Sequence, residues 1–187
     1  MKKKRILVGL FAGILISALA IGGTVAWLTD KEDVTNTFSI GNVDIKINEE
    51  FDPEDGKDIY PGKEVTKIPT VENIGKNPAY IRVKVAIDSQ INGFLTLDYK
   101  LGDDSSQWFI ENGYYYYNSI VAPGGSTLPI FTSFILNDNF IEPANAEVSY
   151  DIIVSAEAVQ SQGFEQKDGE SFKDAILRAF AEYESQN

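Results

Sequence analysis

From Tyr80 to Asp88 every second residue is apolar. Ile81, Val83, Val85 and Ile87 fall on one side of an extended chain, and Arg82, Lys84 and Ala86 on the other. A period of two is the mark of a strand with one face in a core. It recurs along the chain. Leu95, Leu97, Tyr99 and Leu101 alternate with Thr96, Asp98 and Lys100, and Val148, Tyr150, Ile152, Val154, Ala156 and Ala158 form a long run. Shorter strands are expected at 64–71 and 128–136. Phe38 and Ile40 share one parity, whereas Val43, Ile45 and Ile47 share the other, so a bulge or bend is expected at Gly41-Asn42. Turn chemistry separates the runs: 52–56, Tyr60-Pro61-Gly62, 102–106, and Pro123-Gly124-Gly125, which fits a type II turn. Asn112-Gly113 predicts a two-residue hairpin between Trp108–Ile110 and Tyr114–Tyr117. Only the end changes period. Phe172, Ala175, Ile176, Ala179, Phe180 and Tyr183 recur every three or four residues behind Ser171, a natural N-cap, which gives an amphipathic helix expected to pack over an open end of its own sheet. Roughly eight strands between Gly/Pro turns predict an all-β fold, a jelly-roll-like β-sandwich with a short C-terminal helix.

The first 26 residues follow another logic. Lys2, Lys3, Lys4 and Arg5 precede an uncharged apolar run to Ile21, then Gly22-Gly23 and Thr24-Val25-Ala26. A basic head, an apolar stretch and small residues before a cut are the parts of an export signal, with cleavage expected between Ala26 and Trp27. The run to Gly23 is also close to the ~18 residues at which a span becomes possible, so a retained anchor is the alternative. The reading adopted is a cleaved signal helix at 1–26 with no permanent membrane anchor, followed by one domain at 27–187.

Charge and composition then narrow the function. The signal carries four basic residues and no acid, so the rest holds 12 Lys and Arg against 28 Asp and Glu. Such a surface is repelled by nucleic-acid phosphates, and nucleic acid is excluded as a partner. The chain has no cysteine, so an exported domain of this kind is held by its core rather than by disulfides. It also has no histidine, which removes Ser-His-Asp and Cys-His catalysis and His-rich zinc sites. A carboxylate-based glycosidase is the enzyme class that remains, but no spacing selects a pair of acids. The expectation is a protein without catalytic residues or cofactor. Asp52, Glu54, Asp55 and Asp58 cluster in one loop and have the oxygen chemistry of calcium ligands, although Gly56 is at the wrong position for an EF-hand. The run Tyr114–Tyr117 suits a sugar platform, or a strand with two rings in the core and two outside. Arg82 and Lys84, on the outer face of the clearest strand, are expected to pair with carboxylates on neighbouring strands.

Several segments, in order, resemble the TasA/camelysin family of secreted biofilm-matrix proteins. They are 23–30 (GTVAWLTD), 36–45 (NTFSIGNVDI), 71–83 (VENIGKNPAYIRV), 113–118 (GYYYYN) with Pro123-Gly124 after it, and 156–160 (AEAVQ). The resemblance implies a jelly-roll domain, export through a dedicated signal peptidase, and a structural place at the cell surface or in the extracellular matrix. It also implies self-association, or association with related matrix subunits, by donor-strand exchange, in which the segment after the cleavage site fills a gap in the next subunit's sheet. Trp27, Leu28, Val34, Phe38 and Ile40 are the side chains that would fill it; pairing within its own domain as a first strand is the alternative for this segment. Some members carry a metallopeptidase label, for which this sequence supplies no HExxH motif. A monomeric surface module binding glycan or calcium is the second functional reading.

Overall fold

The computed structural model describes residues 39–40, 43–56, 59–105, 107–140 and 150–186, which belong to one compact unit, Thr35–Asn187. Nine strands are seen among them: β1 (Ser39–Ile40), β2 (Ile45–Phe51), β3 (Glu64–Asn73), β4 (Ala79–Ile87), β5 (Leu95–Tyr99), β6 (Trp108–Glu111), β7 (Tyr114–Tyr117), β8 (Phe131–Leu136) and β9 (Ile152–Gln160), followed by helix α1 (Phe172–Glu184). One sheet has the order β1-β9-β4-β7-β6 and the other β2-β3-β8-β5. The chain changes sheet after β1, β3, β4, β5, β7 and β8, and only β2–β3 and β6–β7 stay within one. Repeated crossing between two layers is what makes the sandwich jelly-roll-like. Every strand pairing is antiparallel except that of β1 with β9.

Alternation fills the space between the sheets as the sequence predicts. Ile81 and Val83 of β4 and Val154, Ala156 and Ala158 of β9 meet Ile45, Val65, Val71, Phe131 and Phe134 of the opposite sheet. Trp108 is fully buried among them, and its indole N–H donates to the carbonyls of Leu128 (3.2 Å) and Pro129 (3.1 Å). The hairpin turn forms as expected: Asn112 and Gly113 both have positive φ, 51° and 78°, which gives the twist that a two-residue loop needs. The turn at Pro123 is closed by Gly125 N–H donating to Ala122 O, with Gly124 at φ 73°.

Three expectations are corrected. The parity change at Gly41-Asn42 is not a bend within one strand. It separates β1 from β2, which lie in different sheets. The strand expected from Leu128 begins at Phe131, because Pro129 has no N–H for a ladder and the two carbonyls before Ile130 are taken by Trp108. The helix does not close an open end but lies on the outer face of the five-stranded sheet. There Tyr80, Phe109, Tyr116 and Val159 form an apolar patch that receives Ile176, Ala179, Phe180 and Tyr183. Each of the larger side chains buried here contributes about 1.5–3 kcal/mol. The helix start is a capping box: the Ser171 hydroxyl accepts from Asp174 N–H, and the Asp174 carboxylate accepts from Ser171 N–H.

Candidate functional site

Strand β1 lies at the end of the five-stranded sheet and pairs in parallel with the last part of β9, Ser39 beside Ala158 and Ile40 beside Val159. On its other side β9 is matched along its full length by β4, from Ala79 beside Gln160 to Ile87 beside Ile152. The edge of this sheet is therefore the point at which the N-terminal part of the chain joins the fold. Of the residues expected to donate a strand, Ile40 is in β1 and within its own domain. Ala26, Trp27, Leu28, Val34 and Phe38 lie outside the described residues.

The other candidates fall elsewhere. In the acidic loop, Asp52 Oδ1 accepts from Glu54 N–H at 2.9 Å, and Asp52 O accepts from Asp55 N–H at 3.0 Å, so Asp52 is turned back onto its own backbone. Lys63 Nζ donates to Asp55 O at 3.1 Å. Asp58 lies outside the described residues. Among the described residues no three acids come together as metal ligands.

The tyrosine run divides as a strand must. Tyr115 and Tyr117 face the core, while Tyr114 and Tyr116 face outward toward α1. Tyr115 stacks on Tyr99 with ring centres 4.8 Å apart; burial, then the hydrogen bond with Tyr115, pushes the Tyr99 phenol above its ordinary pKa. Tyr116 is stacked on Phe109 and meets the edge of Phe180. Tyr114 has the Arg82 guanidinium 3.9 Å from its ring centre. The rings are occupied by one another, by Phe109 and Phe180, and by this cation, which favours packing over a sugar platform.

Arg82 is the residue whose role the sequence understated. Its outward direction is as expected, but α1 covers it and only 3% of it remains exposed. The guanidinium lies between the rings of Tyr114 and Phe180, and its nitrogens reach Glu157 (2.5 Å) on the neighbouring strand and Glu184 (2.7 Å) at the helix C-terminus. Burial works against the charge, but hydrogen bonds to Tyr116, Glu184 and Glu157 outweigh it and hold the Arg82 pKa above its ordinary value. An acid at a helix C-terminus opposes the helix dipole, so Glu184 is tolerable because Arg82 sits beneath it. The register Arg82–Glu157 follows from strand pairing. The helix above it could not be read from the strand's own pattern.

Fold and edge together define an all-β sandwich module that presents its first strand at the border of a sheet. A family model described as camelysin metallo-endopeptidase matches residues 1–103, more than half of the 187. The chain belongs to the camelysin family. A search of curated proteins found no match. The residues present do not fit the metal centre in that family description. The sequence has neither histidine nor cysteine, and no cluster of three acids replaces them among the described residues. Among those residues, no helix is long and apolar enough to cross a membrane.

Proposed function

We propose that this chain is an exported structural subunit of the cell surface or extracellular biofilm matrix, joined to further copies or to related subunits through its N-terminal strand. The observation that carries this reading is β1, a two-residue parallel strand at the border of the five-stranded sheet, with the rest of the N-terminal segment leading into it. So short a pairing is weak on its own, and an extended chain added to a sheet edge gains one hydrogen-bonded residue after another. A donated segment that kept the β1 register would bring Phe38 beside Glu157 and Asn36 beside Ser155, two β9 positions on the face of Arg82 and Lys84. In this proposal those contacts are made by the segment of a neighbouring copy. The export-signal pattern at 1–26 and the family membership support a place outside the cell. The donor set gives no support to peptidase chemistry.

The test uses the absence of cysteine from the chain. With Asn36→Cys and Ser155→Cys placed in the same protein, a short bis-maleimide should give covalent dimers and a ladder of larger species. Cross-linking confined to monomers would show that the segment completes its own sheet, and would overturn strand donation.

A further inference from the structure

Each sheet edge invites a second chain to pair with it, and three of the four edge strands are blunted in recognisable ways. β1 is two residues long. β5 has a register irregularity between Leu97 and Tyr99. β6 is partly covered by its own chain, since Trp108 N–H donates to Lys100 O and Gly102 N–H donates to Trp108 O. Among the described residues β2 has none of these protections. It runs seven residues in unbroken register, from Ile45 beside Asn73 to Phe51 beside Lys67, and among the described residues it is paired only on its β3 side.

A second copy fits this edge well in one respect. Two β2 strands laid antiparallel about Asn48 bring Lys46 opposite Glu50 and Ile45 opposite Phe51, each twice. Such an isologous contact would fuse two four-stranded sheets into one. A single position opposes it. Ile45, Ile47 and Phe51 point into the sandwich, and Glu49 shares their parity. Its carboxylate is held by Lys67, at 2.6 Å, which points inward between Val65 and Val71 on β3 and lies 4.8 Å from the centre of the Phe51 ring. The Lys67 side chain is 11% exposed, whereas that of Glu49 keeps 34% of its surface in water at the open border. A strand added to β2 would remove that water and set the carboxylate opposite Ile47 of the second copy. The acid would then be buried with one partner and an apolar neighbour, which is unfavourable.

We infer that the inward-facing Glu49–Lys67 pair guards the β2 edge, preventing a second copy of this chain from adding its β2. The inference goes beyond the proposed function and does not require the N-terminal strand to be the joining element.

The test is a pair of net-charge-neutral double variants of the full chain. Glu49→Val with Lys67→Leu removes the inward pair. Lys46→Leu with Glu72→Val removes charges from the same two strands on the outward face, where Lys46 and Glu72 are register partners. Sedimentation should show the first variant dimerising at least roughly ten-fold more tightly than wild type, with the gain lost on adding Ile47→Pro, which removes an N–H from the open side of β2: Ile47 faces Val71, whose own N–H is taken by Thr127 on the far side of β3. The outward variant should associate as wild type does. Equal association by both variants, or none gained by the first, overturns the inference. Should the double variant fail to fold, hydrogen exchange on the wild-type protein decides: β2 amides should exchange equally at low and high concentration. Concentration-dependent protection of β2 would show an unguarded edge. If wild type does not associate at all, strand donation fails while the variants still report on the guard.

Discussion

Arg82 shows how much one side chain can hold in a domain without disulfides. It ties β4 to β9 through Glu157 and the sheet to α1 through Glu184, and its planar cation fills the space between two rings. Removing one partner of a buried pair costs about 3–5 kcal/mol. Here Glu157 and Glu184 keep 30% and 56% of their side-chain surface in water, so Arg82→Met should cost about 2–3 kcal/mol in urea unfolding. Arg82→Lys should recover little of this, because an ammonium neither stacks nor bonds two carboxylates in a plane. A second residue sets the acid limit of the helix region. Arg178 donates through Nε and Nη2 to both oxygens of Glu170, and Lys167 N–H adds a third bond. The Arg178 bonds, then that backbone bond, lower the Glu170 pKa from 4.5 to about 2. A carboxylate depressed in the folded state contributes stability that is complete above its unfolded pKa and is lost as pH falls through the folded one. Thermal stability should therefore fall as pH drops from 4.5 to about 2, and Glu170→Gln should flatten that part of the profile.

Elements whose signal is local were legible in the sequence. Asn112-Gly113 specifies its hairpin because the two residues themselves adopt the required positive φ. Ser171 and Asp174 specify the helix start because each satisfies the other's backbone N–H. Ser171→Ala should cost about 1 kcal/mol and fray the first turn of α1, measurable by hydrogen exchange at Asp174 and Ala175. Elements that depend on distant partners were not legible. Gly41-Asn42 looks like a break within a strand because parity records only which face a residue takes, not which sheet it joins. The outer face of β4 reads as solvent-facing because nothing near Tyr80 or Arg82 in sequence announces a helix some ninety residues later. Of the candidate segment, that Ile40 belongs to a strand was legible from parity, whereas the place of that strand at an edge beside β9 required the fold.

For the whole molecule, the two sheets differ in exposure to partners. The five-stranded sheet has an outer face largely closed by α1 and an edge at which the N-terminal segment arrives. The four-stranded sheet presents an outer face of polar residues such as Lys46, Asn48 and Glu72. Deleting residues 27–38 should leave a cooperatively melting sandwich, because side chains between Val43 and Ala158 already form a continuous core between the two sheets. Light scattering should find such a form monomeric at concentrations where the longer chain associates. Retained association would place the joining surface elsewhere. A preference for one edge matters in an acidic protein, since like-charged copies repel at range and meet only where short-range pairing is strong enough.

The place of β9 between β1 and β4 has a consequence for timing. Its pairing with β4 joins positions more than sixty apart in sequence, from Ile87 beside Ile152 to Ala79 beside Gln160. Closing so long a loop is slow, and it cannot begin until Ile152 to Gln160 has been synthesised. A growing chain that ends before β9 has the Tyr114 hairpin and the first strands of the other layer, but no central sheet and no surface for α1. The main step of folding therefore waits for β9. A chain of this topology stays threadable through a narrow pore until Ile152 to Gln160 is free to pair with Ala79 to Ile87.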